Sequence, residues 1–151
     1  MKKIFFLIVV IFIIIGVAFK DTIMLNNKKS IEVGDTVPNF KLKDQDGNIF
    51  SVDKYVGKKA MVIYFYPKDD TPGCTKEACA FRDSYETFTD LDVKVIGISA
   101  DDVPSHKKFA DKYKLPFTLL ADTGNNIRKL FDVPKSMLGL LPGRVTYIVN
   151  K

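Results

Sequence analysis

Apolar and polar positions alternate along the chain in a way that predicts strands and helices in turn. The segment NFKLKDQDGNIFSV contains two alternating runs around Asp46-Gly47-Asn48, which predicts a β-hairpin. Two continuous apolar runs are typical of strands buried on both faces: AMVIYFYP at 60–67 and DVKVIGISA at 92–100. Shorter strands are predicted at PFTLLAD (116–122) and RVTYIVN (144–150).

Helical patterns separate these strands. Helices are predicted over 72–90, about 104–114 and about 124–131. This alternation predicts an α/β fold with a central, mostly buried mixed sheet flanked by helices. The leading hairpin, and a proline-closed strand followed by a helix that carries cysteine, point to the thioredoxin-like group. We expect one domain over 33–151, preceded by a polar linker at 21–32.

The N-terminal segment has a different pattern. Residues 4–19 are apolar without interruption and follow the basic start MKK. This run is just short of a bilayer core, so residues 1–20 are predicted to be a signal peptide or a membrane anchor. A buried core helix is the weaker alternative, because every face of the run is apolar. The expected location is therefore membrane-anchored or exported, in the cell envelope.

The charge of the chain excludes one class of partner. The formal charge is +5, but residues 31–151 carry 18 basic and 17 acidic side chains and are nearly neutral. The sequence has no basic stripe of the kind that binds nucleic acid, so nucleic acid is not an expected partner. His106 is the only histidine and there is no second cysteine pair, so a metal site lacks ligands.

The two cysteines, Cys74 and Cys79, lie in the segment that begins the helix predicted over 72–90. Thr71 suits the N-cap and Pro72 suits the first helical position, which places Cys74 in the first turn. Unpaired N–H groups and the positive end of the helix dipole favour an anion there, and a thiolate is such an anion.

Helical geometry separates the two thiols. An apolar stripe at Ala78, Phe81, Tyr85 and Phe88 begins with Cys74, so Cys74 is predicted to face inward. In an intact helix the Cα atoms of the two cysteines would be roughly 8.6 Å apart, beyond the roughly 7 Å that a disulfide tolerates. Redox chemistry is the favoured interpretation; two inert buried thiols and a structural disulfide are the alternatives.

At these residues the sequence resembles the peroxiredoxins. Pro67, Thr71 and Cys74 match their Pro-x-x-x-Thr-x-x-Cys motif, and the second cysteine five residues later is similar to the peroxiredoxin Q or bacterioferritin comigratory protein group. Further matches cover most of residues 33–150: GDTVPNFKLKDQDG, VIGISADDVPSHKKFADKYKLPFTLLAD and GRVTYIVN.

The resemblance implies a thiol-dependent peroxidase on a thioredoxin-like fold. Cys74 would be the peroxidatic and Cys79 the resolving cysteine, joined after turnover by an intramolecular disulfide. Thr71 would hydrogen-bond the thiolate and the substrate, Pro67 would shield the pocket, and Arg144 would hold the thiolate and polarise the peroxide. The implied partners are hydrogen peroxide or an alkyl hydroperoxide and a thioredoxin-type reductant, with no metal, haem or flavin; a monomer is expected.

Other residues and functions receive weaker interpretations. His106 and Arg128 are expected on the surface, and Asp69 and Asp70 in a loop without acid/base chemistry. Compared with the family, the chain is expected to lack a C-terminal strand and helix, which would leave the strand after Arg144 at an open sheet edge. The alternative functions are a general thiol-disulfide oxidoreductase, or a membrane-tethered or redox-sensing module without peroxidase turnover.

Overall fold

Strands and helices alternate through the chain as the pattern predicts. A computed structural model describes residues 31–136 and 141–151, with Leu141 described by its backbone alone. The strands are β1 Lys41–Asp44, β2 Ile49–Ser51, β3 Ala60–Phe65, β4 Val93–Ser99, β5 Thr118–Ala121, β6 Lys135–Ser136, β7 Leu141–Pro142 and β8 Val145–Val149. The helices are α1 Pro72–Asp83, α2 Tyr85–Asp90, α3 Val103–Tyr113 and α4 Asn126–Leu130, with a single 3-10 turn at Val52–Lys54.

Six of these strands form one mixed sheet in the order β2-β1-β5-β4-β3-β8. Strands β3, β4 and β5 are parallel, as their helical connections require. The predicted hairpin of β1 and β2 is confirmed and joins the sheet through β5, while β8 runs antiparallel to β3. Strands β6 and β7 form a separate two-stranded ribbon.

The sheet has a core on each face because successive side chains of β3 point to opposite sides. Met61, Ile63 and Phe65 join one buried cluster with the hairpin and α4. Tyr64 joins the second cluster, which contains Cys74 of α1 and Phe109 of α3. In the described residues the sheet therefore lies between two buried clusters, and the cysteine helix packs on the face that carries Tyr64. The predicted α/β class is confirmed.

The helix predicted over 72–90 is divided in two. Its first part ends at Asp83, Ser84 has φ −100° and ψ 8°, and the second part begins at Tyr85. Serine and aspartate side chains compete for backbone hydrogen bonds and favour helix ends, which explains the break. The predicted apolar stripe survives it, since Tyr85 and Phe88 still pack against the Cys74 cluster.

The N-terminal prediction concerns residues that the structure does not describe. The apolar helix and the signal peptide or anchor at 1–20 lie outside the described residues, as does most of the linker at 21–32. Across residues 31–136 and 141–151, no helix combines the length and apolar character that crossing a bilayer requires. The proposed boundaries of the domain stay a prediction.

Candidate active site

The first turn of α1 begins as the sequence predicts. Thr71 is the N-cap with extended backbone angles, φ −87° and ψ 149°, and Pro72 follows at the first helical position. The Thr71 side chain does not cap the helix; its hydroxyl donates to the carbonyl of Lys68 at 3.1 Å. The Thr71 side chain therefore leaves the N–H groups at the start of the helix without a cap, while its carbonyl accepts from the N–H of Thr75 at 2.8 Å.

Cys74 lies at the inner side of this turn and contacts a cation. Its side chain is buried, and its Sγ lies 3.4 Å from Nη2 of Arg144, which immediately precedes β8. The pairing of Phe65 with Val145 brings Arg144 to the end of β3, where the loop to α1 begins. Two residues 70 positions apart in sequence are thus in contact, as the resemblance implies.

Arg144 is held to α1 by two further contacts. Its Nη1 donates to the carboxylate of Glu77 and to the carbonyl of Gly73 at 3.4 Å. A Cβ at position 73 would lie 3.2 Å from Nη2, so the absence of a side chain on Gly73 gives the guanidinium room beside Cys74. Contacts with α1 therefore orient the guanidinium toward Cys74.

The charges of this group influence one another. Burial raises the pKa of Glu77, and the nearby Arg144 offsets only part of that rise. Burial lowers the pKa of Arg144, but its interactions with Glu77 and Cys74 outweigh this effect and raise that pKa. A fixed, permanently charged guanidinium beside sulfur stabilises a thiolate and charge that develops next to it.

Cys79 lies on the same helix, and both cysteines are free thiols in this structure. Cys79 is half-buried, whereas Cys74 is buried. Helix α1 is wound without interruption from Pro72 to Asp83, so the separation predicted for an intact helix applies to this pair. A structural disulfide is therefore absent from the wound state, and bonding the two sulfurs requires local unwinding.

The remaining predicted site residue, Pro67, lies in the loop between β3 and α1, half-buried and four residues before Thr71. Within the part of the chain that the structure describes, no three His, Cys, Asp or Glu side chains are grouped so that they could hold a metal ion. Cys74 thus lies between an apolar cluster that includes Tyr64 and Tyr66 and the guanidinium of Arg144.

His106 is fully buried, so its predicted surface location is wrong. Its Nδ1 lies 2.9 Å from Oδ2 of Asp69 and its Nε2 lies 3.1 Å from the carbonyl of Leu120. The spacing of His106, Phe109 and Ala110, at i, i+3 and i+4, places the histidine on the apolar stripe of α3, and this signal could have identified it. Asp69 does lie in the loop, as predicted, but it is buried there.

Arg128 is also buried, contrary to its predicted location on a surface helix. Its Nη1 donates to the carbonyl of Gly143 and its Nη2 to the carbonyl of Tyr66, both at 2.8 Å, and its guanidinium lies over the ring of Phe65. Arg128 thus joins the residue before Arg144 to the end of β3. Its position three residues before buried Phe131 is the only sequence signal for this inward orientation.

Comparisons with known proteins agree with this geometry. The AhpC/TSA family model matches residues 33–151. Peroxiredoxin Q, chloroplastic, from Triticum aestivum is 58% identical over 121 residues, which are 80% of this chain and 55% of that protein. The protein of the same name from Arabidopsis thaliana is also 58% identical, over 80% of this chain and 56% of its own length. The chain thus spans about half the length of these curated relatives.

Solved structures give the same result. The crystal structure of a Xylella fastidiosa PrxQ mutant superposes with a TM-score of 0.73 at 31% identity, covering 80% of this chain and 79% of that one. Peroxidoxin BcpB from Mycobacterium tuberculosis gives a TM-score of 0.70 at 37% identity, covering 78% of each chain. The fold is therefore thioredoxin-like, as the hairpin and the cysteine helix predict.

The fold, the helix-terminal cysteine and its arginine together define a peroxiredoxin-type protein. The chain belongs to the AhpC/TSA family, in the peroxiredoxin Q or bacterioferritin comigratory protein group, and the predicted resemblance is confirmed. The predicted location in the cell envelope is contradicted, because the relatives are named as chloroplastic proteins. Membrane contact through residues 4–19 and the membrane-tethered alternative have no support.

Proposed function

We propose that this protein is a thiol-dependent peroxidase that reduces hydrogen peroxide and organic hydroperoxides. The observation that carries the proposal is the 3.4 Å contact between Arg144 and the buried Sγ of Cys74 at the N-terminal turn of α1. A nucleophilic thiolate needs positive charge and N–H donors beside it, and this turn provides both. The names of the relatives, peroxiredoxin Q, support the same activity.

In the first step, the Cys74 thiolate attacks one peroxide oxygen and the O–O bond breaks. Sulfur is oxidised to the sulfenic acid, and the other oxygen leaves, takes a proton and becomes water or an alcohol. Arg144 stabilises the charge that moves from sulfur to the departing oxygen. Because the Thr71 hydroxyl donates its hydrogen bond to the Lys68 carbonyl, its lone pairs can accept a hydrogen bond from the peroxide O–H. Pro67 limits the access of water to this pocket.

In the second step, the sulfur of Cys79 attacks the sulfenic sulfur of Cys74. The S–O bond breaks, hydroxide leaves with the thiol proton as water, and an intramolecular disulfide forms. Helix α1 unwinds locally for this step, since its wound form keeps the cysteines apart. A thioredoxin-type dithiol then supplies two electrons and returns both cysteines to thiols. The monomeric state stays a prediction.

Two substitutions test this function. Cys74→Ser should abolish peroxide consumption, whereas Cys79→Ser should complete the first turnover and then fail to recycle, because its sulfenic acid has no resolving thiol and can only be oxidised further. Peroxide loss with thioredoxin, thioredoxin reductase and NADPH measures both. Insulin reduction is the control for a general thiol-disulfide oxidoreductase. Peroxide turnover that survives Cys74→Ser, or insulin reduction faster than peroxide consumption, would show that the proposal is wrong.

A further inference from the structure

The loop at residues 66–71, which joins β3 to the cysteine helix, is attached to α3 through a buried carboxylate. Asp69 accepts hydrogen bonds from the hydroxyl of Ser105 at 2.8 Å and the hydroxyl of Tyr66 at 2.7 Å, and its Oδ2 lies 2.9 Å from Nδ1 of His106. Both His106 and Asp69 are buried, with side chains 0% and 4% exposed. The carboxylate therefore relies on these donors for solvation, and its position is fixed by α3.

Both ring nitrogens of His106 have a partner. The carbonyl of Leu120 can only accept, so Nε2 donates to it. Nδ1 lies against the Asp69 carboxylate, which also accepts from two hydroxyl groups. His106 therefore links the loop to β5 through a buried polar contact on each ring nitrogen.

The next loop residue attaches to the other end of the same helix. Asp70 has a left-handed backbone, φ 56°, and its two carboxylate oxygens each lie 2.7 Å from Nζ of Lys112. The hydroxyl of Tyr113 donates to the same carboxylate at 2.6 Å. The left-handed conformation is costly for a residue other than glycine, so these contacts compensate for the cost of the bend. We call the two aspartates and their partners on α3 the loop anchor.

The loop anchor ends one residue before the N-cap of the cysteine helix. Thr71 is the N-cap, and the N–H of Thr75 donates to its carbonyl at 2.8 Å, which forms the first helical turn around Cys74. Unwinding this turn releases the carbonyl of Thr71 and displaces its backbone. This displacement strains the hydrogen bonds that Asp69 and Asp70 make to α3. The free energy of the anchor contacts is thus part of the cost of bringing the two cysteine sulfurs together.

We propose that the loop anchor sets the rate of disulfide formation, and that His106, Asp69 and Asp70 are positioning residues for the resolving step; this inference rests on the proposed function. While the first turn is wound, the Cys74 sulfenic acid cannot meet Cys79 and remains available to a second peroxide. That second peroxide transfers an oxygen to sulfur, giving sulfinic acid and one molecule of water or alcohol. The sulfenic acid is thus divided between two products, the disulfide and the sulfinic acid, and we call this division the partition. A weaker anchor shifts the partition toward the disulfide.

The test measures this partition in single turnovers. The chain has no tryptophan, so the products are followed by rapid quenching with a thiol-alkylating reagent and intact mass, over a range of hydrogen peroxide concentrations. His106→Leu should increase the rate of disulfide formation about tenfold, because it removes the buried contact of the loop carboxylate with Nδ1. It should raise by a similar factor the peroxide concentration that gives half sulfinic acid. His106→Asn, which keeps a donor near Nδ1, should lie closer to wild type.

Two further proteins separate the anchor from general stability. Val52→Ala creates a cavity in the core on the opposite face of the sheet and should lower the melting temperature without changing the partition. If His106→Leu does not fold, the double substitution of exposed Lys112→Met with half-buried Tyr113→Phe, which keeps the ring, weakens the same anchor at its other end and should increase disulfide formation about threefold.

The outcomes are distinct for the two proposals. An unchanged partition in both the His106→Leu and the Lys112→Met with Tyr113→Phe proteins, or a change that Val52→Ala reproduces at equal melting temperature, would overturn the inference about the anchor. The proposed function is judged on the wild-type protein alone. If one equivalent of peroxide leaves both wild-type cysteines as free thiols, with neither sulfenic acid nor disulfide formed, the proposed function fails whatever the variants do.

Discussion

Arg144 depends on Glu77 for its position beside the reactive sulfur. The Glu77 carboxylate accepts from Nη1 while Nη2 of the same guanidinium lies 3.4 Å from Cys74 Sγ. This arrangement has a cost, because burial raises the pKa of Glu77 even with the arginine beside it. A residue that is unfavourable as an anion in the folded protein, yet directs the arginine toward the thiol, indicates that position matters here more than stability.

Glu77→Gln should separate these two effects. A folded-state pKa above the ordinary value means that ionised Glu77 destabilises the folded protein once the pH exceeds that pKa. The glutamine variant should therefore melt at the same or a higher temperature than wild type at pH 7. Its reaction with peroxide should be slower by about tenfold, since the arginine loses a charged partner. Thermal melts and stopped-flow rates check this; a lower melting temperature at pH 7 would contradict it.

Arg128 holds the backbone of the residue that precedes Arg144. It donates to the carbonyl of Gly143, the residue before Arg144, and to that of Tyr66, so the two segments that meet at the site share one guanidinium. Arg128→Lys should lower the free energy of unfolding by about 1 to 3 kcal/mol, because an ammonium cannot match the two-pronged geometry. The peroxide rate should fall with it. Denaturant unfolding with stopped-flow kinetics measures both, and unchanged kinetics would exclude a supporting role.

At the scale of the elements, local signals predicted more than long-range ones. The turn chemistry of the hairpin and the Thr71-Pro72 start of α1 act within a few residues, so sequence located both. The sequence places His106 and Arg128 wrongly because each is followed by lysine, Lys107 and Lys129, while their buried partners come from distant segments. A buried charge is stabilised by groups that only the tertiary fold brings to it, which a local pattern cannot show.

Strand β3 contains a buried hydroxyl, that of Tyr64, whose position is set by side-chain packing and not by a hydrogen bond. The hydroxyl of Tyr64 is buried and has no hydrogen-bond partner in the described part of the chain. Burial raises the pKa of Tyr64 well above its ordinary value, so the phenol is neutral at any working pH. Gly97 on the neighbouring strand leaves space for this ring, since a Cβ there would lie 2.7 Å from the hydroxyl.

Tyr64→Phe should therefore stabilise the protein by about 1 kcal/mol, because it removes an unsatisfied buried hydroxyl and keeps the ring packing. Tyr147→Phe is the matched control: its hydroxyl donates to the carbonyl of Phe131 at 3.0 Å, so its loss should destabilise the protein by a similar amount. Urea unfolding of both variants measures the difference. Destabilisation by Tyr64→Phe as large as that by Tyr147→Phe would indicate a partner for the Tyr64 hydroxyl.

At the scale of the whole molecule, the sheet gathers three separate segments at one end. Strand β3 ends at Phe65 and leads into the loop, β8 pairs with it so that Arg144 lies beside that end, and α3 holds the loop through Asp69. The sequence resemblance assigned residues to this site, but the supporting contacts depend on the order of the strands. The stability of the fold and the geometry of the site are therefore coupled through the loop, and pH should reveal this coupling.

Acid unfolding should depend on Asp69. Burial raises the pKa of Asp69, but the hydrogen bond and charge of His106 and the hydroxyls of Tyr66 and Ser105 outweigh it, so the pKa lies below its ordinary 3.8. A lowered folded-state pKa means stability that is fully present above the unfolded-state pKa and is lost as the pH falls through the folded one. Asp69→Asn should be less stable than wild type at pH 7, and the difference should shrink as the pH falls from about 4 to 2.

Melting temperatures of wild type and Asp69→Asn at half-unit intervals between pH 7 and pH 2 measure this difference. Asp92→Asn is the control: its pKa is also lowered, through Lys59, but both side chains are well exposed, so solvent screens the pair. The control should follow the wild-type curve closely. Parallel curves for wild type and Asp69→Asn over the whole range would show that the Asp69 carboxylate gains nothing from its buried donors, and that the loop is held by other contacts.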